Sequence, residues 1–481
     1  MFAGDFFIRK KGEVIDVNNK LLSRVETLEG DTHTPVSLFQ RLKGKKKFLL
    51  ESSNKHEGDG RYSYLGSSPT VEILASGSEI TVIDLKNDEE KMVQGKIIDF
   101  LKHEILAETD KDLPFPFHGG AIGFFGYDVI RQYEEIGTVP SDELEMPDAH
   151  FMVFRELVVF DHARQKIHLV VLDEKESELT GRMDTLKKLL EAETPVSGLE
   201  KGSLIFKPSV TKSRFEEMVE EAKESIIAGK IFQIVLSQRF TSEFHGSPFE
   251  VYRRLRVKNP SPYMFYLDFE RYAVLGSSPE SMMKARGRTV TLNPIAGTRP
   301  RGSNEEEDHL MERTLLSDEK EIAEHQMLVD LGRNDLGRVS KVGSIDITSS
   351  MVIERYQYVM HLVSEVSGEL LDGITGLDSL AVCLPAGTVS GAPKIEAMNI
   401  INRLENVKRG LYSGAIGYIS FNGDLDMALA IRTMIIKDNI AYVQAGAGIV
   451  YDSVPEKEYE ETINKAKSLT LMEEAEHDFV N

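Results

Sequence analysis

A single cysteine, Cys383, stands among 481 residues. One thiol cannot build an internal disulfide framework or a cysteine-based zinc site, and it fits a reducing, cytoplasmic setting. Long apolar runs are missing too. No stretch approaches the roughly 18 residues a membrane helix needs. The opening MFAGDFFIRKKGEV mixes an acid and several bases into its apolar residues, unlike a secretory leader. Positive charge is scarce: 57 Lys and Arg face 78 Asp and Glu, a formal net charge of -21. Such a chain repels polyphosphates, which argues against nucleic acid as a partner. A small anionic ligand would need local cations or a bound metal to offset the global field.

What remains is ordinary soluble composition, with 41% hydrophobic residues over a length that exceeds one ordinary core. Residues 1–200 mix short β-type runs with loops, among them KKKFLLES (45–52), RYSYLGSSP (61–69) and FMVFRELVVFD (151–161). A charged helix is expected over 175–193 and a linker over 194–203. The second region, 205–475, opens with a helix that Ser213 and Glu216 would cap and Gly229 would end. Strands are expected at 231–240, 263–269, 272–278, 288–297, 412–421, 425–436 and 440–450. Helices are expected at 317–334, 356–370, 393–405 and 455–474. Short turns such as FNGD (421–424) and KDN (437–439) join consecutive strands, which means hairpins. The class is α+β, with large antiparallel sheets covered by helices.

Two acidic helices carry the clearest chemistry. In 317–334, Ser317 is a candidate N-cap, and Glu321 and Glu324 stand three apart on one face. In 455–474, Ser453 and Glu456 suggest a capping box, Glu458 and Glu461 repeat the spacing, and Lys465 follows one turn on. Either these are two solvated faces, or the helices converge and their carboxylates hold a hard divalent cation. PIAGTRPRG (294–302), PAGTVSGAPK (385–394) and QAGAGIV (444–450) match neither a Walker A loop nor a dinucleotide fingerprint. They are tight turns, or, with Arg299, Lys394, Arg432 and Lys465, the lining of a pocket for a small polyanionic acid. His361 in an apolar stretch is either a core residue or a proton carrier. Tyr412 at a strand start reads equally as packing.

In order, the strings IFQIVLSQRF, NPSPYMFYLD, GSSPE, PIAGTRPRG, DEKEIAEHQMLVDLGRNDLGRV, YQYVMHLVSEVSG, PAGTVSGAPK, YSGAIGY, AIRTM, QAGAGIV and EKEYEET resemble the chorismate-utilising enzyme family. The resemblance covers nearly the whole chain and is strongest over 205–470. It implies that Glu324 and Glu461 bind Mg2+, with Glu321 and Glu458 supporting through water. Glu280 would protonate the departing C4 hydroxyl of chorismate, and His361 would assist loss of the enolpyruvyl group as pyruvate. Tyr412, Arg432 and the Gly446-Ala447-Gly448 backbone would grip the enolpyruvyl carboxylate. Gly297, Thr298, Thr388 and Lys465 would contact the ring and its carboxylate.

Two positions choose among members of the family. Water-adding relatives usually carry lysine where Gln233 stands, so Gln233 on the ammonia side favours amination. Many folate-pathway aminodeoxychorismate synthases carry a nucleophilic lysine where Ala296 stands. Alanine favours amination at C2, giving anthranilate, the committed step toward tryptophan; the folate-pathway reaction is the alternative. Glu51, Ser52, Pro262, Tyr263 and Met264 resemble the site at which L-tryptophan inhibits such enzymes. No glutaminase-type cysteine is present in this sequence. The resemblance therefore implies a separate glutamine amidotransferase subunit in a heterodimer or heterotetramer.

Overall fold

The computed structural model describes residues 20–52, 58–191, 204–356 and 359–470. Two sheets of twelve strands each, antiparallel throughout in their named pairings, face one another. Strands from before residue 200 and after residue 205 share both sheets. In the first, Lys47–Glu51 pairs with Tyr263–Asp268. In the second, Gly120–Phe125 pairs with Ala415–Ser420. The largest core lies between the sheets, where Phe48, Phe117, Phe124, Phe151 and Phe154 are buried to within 1% exposure. A second core packs the other face of the first sheet against the helices Pro35–Arg41, Glu176–Glu191 and Pro248–Lys258. Among the described residues no helix is long and apolar enough to cross a membrane.

Local chemistry sets most boundaries. The hairpins expected at 421–424 and 437–439 join Ala415–Ser420 to Leu425–Leu429 and Thr433–Lys437 to Ile440–Ile449. Gly229, at φ +71°, ends the helix Lys212–Ile227. Its cap, however, is Thr211, whose hydroxyl accepts from the Arg214 amide; Ser213 lies inside the helix. Ser317 likewise closes a helix not foreseen, Glu305–Leu316, and Asp318 caps the next, Glu319–Gly337. Ser453 accepts from the Val450 amide while Glu456 pairs with Lys212, so they form no capping box. The expected linker at 194–203 lies outside the described residues.

The largest departure concerns 356–370. It is not a helix: Val359–Glu369 is a strand near one end of the second sheet, paired along both edges. Its inner residues are buried on both faces, and that erases the alternation by which a strand is read. Two other expected strands each divide. The stretch 288–297 gives Thr289–Leu292 and Ile295–Pro300. The stretch 425–436 gives Leu425–Leu429 in the second sheet and Thr433–Lys437 in the first. The chain crosses between sheets at Arg432, which adopts φ +47°.

Candidate active site

Glu280 sits on the short turn between the first-sheet strand Tyr272–Ser278 and the second-sheet strand Ser281–Arg286. Both flanks are pinned. Ser278 Oγ donates to the Leu429 carbonyl at 2.7 Å, and the Leu429 amide donates to the Glu280 carbonyl at 3.0 Å. The side chain is 9% exposed, and Thr388 Oγ1 donates to Glu280 Oε1 at 2.8 Å. Burial pushes this carboxyl up to about 7; the Thr388 bond and the charges of Lys465 and Arg432 pull the other way and lose. A carboxylic acid still protonated near neutrality can donate to a leaving group. It lines an open cleft of about 430 Å³ with Asn293, Pro294, Leu331, Gly387 and Thr388.

His361 lies on the strand Val359–Glu369, in register with Thr298 on Ile295–Pro300. Its Nδ1 is 3.0 Å from the Gly297 carbonyl and 3.1 Å from Thr298 Oγ1. A carbonyl only accepts, so Nδ1 carries the proton and Nε2 keeps the lone pair. Burial, with help from Arg432, lowers the imidazole below its ordinary value, so it is neutral at pH 7. Gly297 has φ +68°, and a Cβ there would lie 2.8 Å from Leu315 and 3.2 Å from Glu321 Oε2. Only glycine joins the histidine's strand to the acidic helix so closely.

Gly446 and Gly448 form a wall of their own on the strand Ile440–Ile449, beside Tyr412 and Gln233. A Cβ on Gly446 would lie 2.7 Å from the Tyr412 hydroxyl, and one on Gly448 would lie 3.3 Å from Gln233 Nε2. Lys465 Nζ donates to the Gly446 carbonyl at 3.1 Å and pairs with Glu461 at 2.7 Å. Ala447 turns its methyl away into the core beneath the helix Lys212–Ile227, so only its backbone belongs to this wall. Burial pushes the Tyr412 hydroxyl up to about 12, so it serves as a hydrogen-bond donor rather than a base.

The two acidic helices lie within electrostatic reach of one another. Burial raises Glu324, and Glu321 on its own helix and Glu461 on the helix Pro455–Thr470 raise it further. Burial and then Glu461 likewise raise Glu458, although Ser453 hydrogen-bonds it. Crowded carboxylates sharing one field have the charge and the all-oxygen chemistry of a site for a hard divalent cation. Their side chains are not drawn to one point. Glu321 is paired with Arg299 at 3.2 Å and Glu461 with Lys465. Among the described residues no three acidic, histidine or cysteine side chains stand close enough to grip an ion.

Some sequence expectations for cations change here. Lys394 is 2.6 Å from Asp335 and bonds the Val382 and Cys383 carbonyls, so it anchors a loop. Arg299 is committed to Asp318 and Glu321. Burial pushes the Cys383 thiol up to about 12, leaving it inert. Arg409, which the sequence did not single out, is 2% exposed and holds the wall together. It bonds Glu405 at 2.6 Å and the carbonyls of Val235 and Val389 at 2.7 Å, and lies over the Tyr412 ring at 5.5 Å. Its signal in the sequence was only an i, i+4 Glu–Arg pair, which surfaces carry everywhere.

A second cavity, about 820 Å³ with its open mouth, lies between the sheets. Glu51, Ser52, Pro262, Tyr263 and Met264 all border it, as do Tyr62 and Tyr418. Tyr263 donates to Asp426 at 2.9 Å. Glu51 is already bound by Arg256 at 2.7 and 3.0 Å and by the Tyr252 hydroxyl at 2.7 Å. The Met264 side chain packs with Tyr252 and Tyr266 in the second core, so it meets the cavity along its backbone edge.

Fold and site together bring a buried, raised carboxyl at Glu280, a neutral imidazole at His361 and a group of carboxylates on two helices to the junction of the two sheets. Comparison with known proteins agrees. The family model described as chorismate binding enzyme matches residues 45–471, and the chain belongs to that family. Anthranilate synthase component 1 of Acetivibrio thermocellus is 47% identical, covering 91% of this chain and 92% of its own length. The same component of Aquifex aeolicus (strain VF5) is 48% identical, covering 91% and 92%. The crystal structure of anthranilate synthase component I from Streptococcus pneumoniae TIGR4 is 46% identical with TM-score 0.80, covering 92% of this chain and 98% of that one.

Proposed function

We propose that this chain converts chorismate and ammonia to anthranilate and pyruvate through an aminodeoxyisochorismate intermediate. Glu280 carries the reading: a buried carboxyl raised to about 7 and aimed by Thr388 suits loss of a hydroxyl, a poor leaving group. The names of the relatives point to the same reaction.

Glu280 donates its proton to the C4 oxygen as the C4–O bond breaks. Ammonia enters at C2 from the side of Gln233, which needs no basic residue because neutral ammonia is already nucleophilic. The neutral Nε2 of His361 then takes the C2 proton, and the bond pair completes the aromatic ring. The C3–O pair leaves with the enolpyruvyl oxygen, and a returned proton gives pyruvate. Tyr412, Arg432 and the amides of Gly446, Ala447 and Gly448 hold the enolpyruvyl carboxylate, while Gly297, Thr298, Thr388 and Lys465 hold the ring and its carboxylate. Glu324 and Glu461 would hold Mg2+, with Glu321 and Glu458 acting through water; the ion supplies charge neutralisation at the ring carboxylate. L-Tryptophan is read as an inhibitor at the cavity bordered by Glu51, Ser52, Pro262, Tyr263 and Met264. A separate glutamine amidotransferase subunit would supply the ammonia.

The test is direct. The purified chain is incubated with chorismate, Mg2+ and an ammonium salt at alkaline pH, with and without L-tryptophan. Fluorescent anthranilate, suppressed by tryptophan, is the expected product. 4-Amino-4-deoxychorismate in its place would overturn the assignment.

A further inference from the structure

His361 has a neighbour that the chemistry above leaves unused. Three adjacent strands place Thr298, His361 and Glu354 in one cross-strand row, His361 facing Thr298 on one side and Glu354 on the other. Side chains directly opposite on antiparallel strands share a face, with Cβ atoms about 5 Å apart. Two residues beyond Glu354 is Tyr356. Its hydroxyl donates to Glu354 Oε2 at 2.7 Å, and its ring meets the His361 ring edge-on, with centroids 5.5 Å apart. The Tyr356 carbonyl is fixed in turn by Arg301 Nη1 at 2.7 Å, and Arg301 is locked by Asp308.

We infer that Glu354, aimed by the Tyr356 hydroxyl, is the counter-charge that lets His361 hold a proton while the enolpyruvyl group departs. Both are positioning residues and neither touches substrate in this reading. The inference rests on the proton-accepting role given above to His361.

The charge balance around the imidazole requires such a partner. Taking the C2 proton turns a neutral ring into a cation in a buried place, with Arg432 near it. The groups facing it are the Gly297 carbonyl and Thr298 on one strand, Glu354 and Tyr356 on the other, and Arg432 from the crossing between sheets. Of these, Glu354 alone brings negative charge. Because Nδ1 is held by the Gly297 carbonyl, Glu354 acts through space and leaves Nε2 free for substrate. Tyr356 keeps the carboxylate from swinging out to water, where screening would weaken it.

The test reads the imidazole itself. The His361 resonance is assigned in histidine-labelled protein by its loss in H361M, and its titration midpoint is followed by NMR in the wild type, E354Q, E354D and Y356F. E354Q is expected to lower the midpoint by about half to one pH unit. Y356F should lower it less, and E354D should restore most of it. In parallel, E354Q should slow pyruvate release about three- to tenfold while amination stays within twofold. An unchanged His361 midpoint in E354Q, or equal loss of both steps, overturns the inference. The underlying reading fails separately, if H361M releases pyruvate at the wild-type rate.

Discussion

Replacing Glu280 by glutamine tests whether the acid is held protonated by burial. The carboxyl stands at about 7 against an ordinary 4.5, which corresponds to roughly 3 kcal/mol. The folded value is the raised one, so the sign is fixed. Below about pH 4.5 the carboxyl is neutral in both folded and unfolded chains, and the substitution changes stability little. As pH rises the unfolded chain ionises first, and stability is lost until the folded carboxyl ionises near pH 7. Above that, E280Q should exceed the wild type by up to about 3 kcal/mol, because the amide carries no buried charge. Loss of the Thr388 bond and of attraction to Arg432 and Lys465 would trim this gain. Denaturant titrations of both proteins from pH 4.5 to 8.5 would show curves that meet in acid and part by neutrality. The same variant should lose about 10²- to 10⁴-fold in amination. A stability difference that does not vary with pH, or a more stable wild type at pH 8, would refute the reasoning.

H361M should slow pyruvate release more than amination, so that an aminated intermediate accumulates and is visible by rapid-quench chromatography. E324Q should raise the Mg2+ concentration for half-maximal activity by orders of magnitude, read in a metal titration. E51Q should weaken tryptophan inhibition more than tenfold in an inhibition curve, since it removes a carboxylate charge that borders the cavity and that Arg256 and Tyr252 hold in place. R409M leaves Glu405 buried without its partner and should cost about 3–5 kcal/mol in chemical denaturation. The double variant R409M/E405Q should recover part of that loss.

The sequence by itself determined what is local. Hairpin turns at 421–424 and 437–439, the left-handed Gly229, and the three-residue spacing of Glu321 with Glu324 and Glu458 with Glu461 follow from short-range geometry, and all are present. It also determined which residue types were available for chemistry, and ordered motifs pointed to the family. Only the tertiary structure decided the rest. Val359–Glu369 is a strand because strands pair along both of its edges and the fold buries both of its faces, and no reading of its own apolar residues reveals that environment. Glu280 is an ordinary carboxylic acid until the junction of two sheets buries it against Thr388, which lies 108 residues away. Lys394 and Arg299 read as free cations until Asp335, Asp318 and Glu321 fold against them. The physical reason is common to all of these: desolvation and charge pairing depend on distances through space, and a linear chain records only distances along itself.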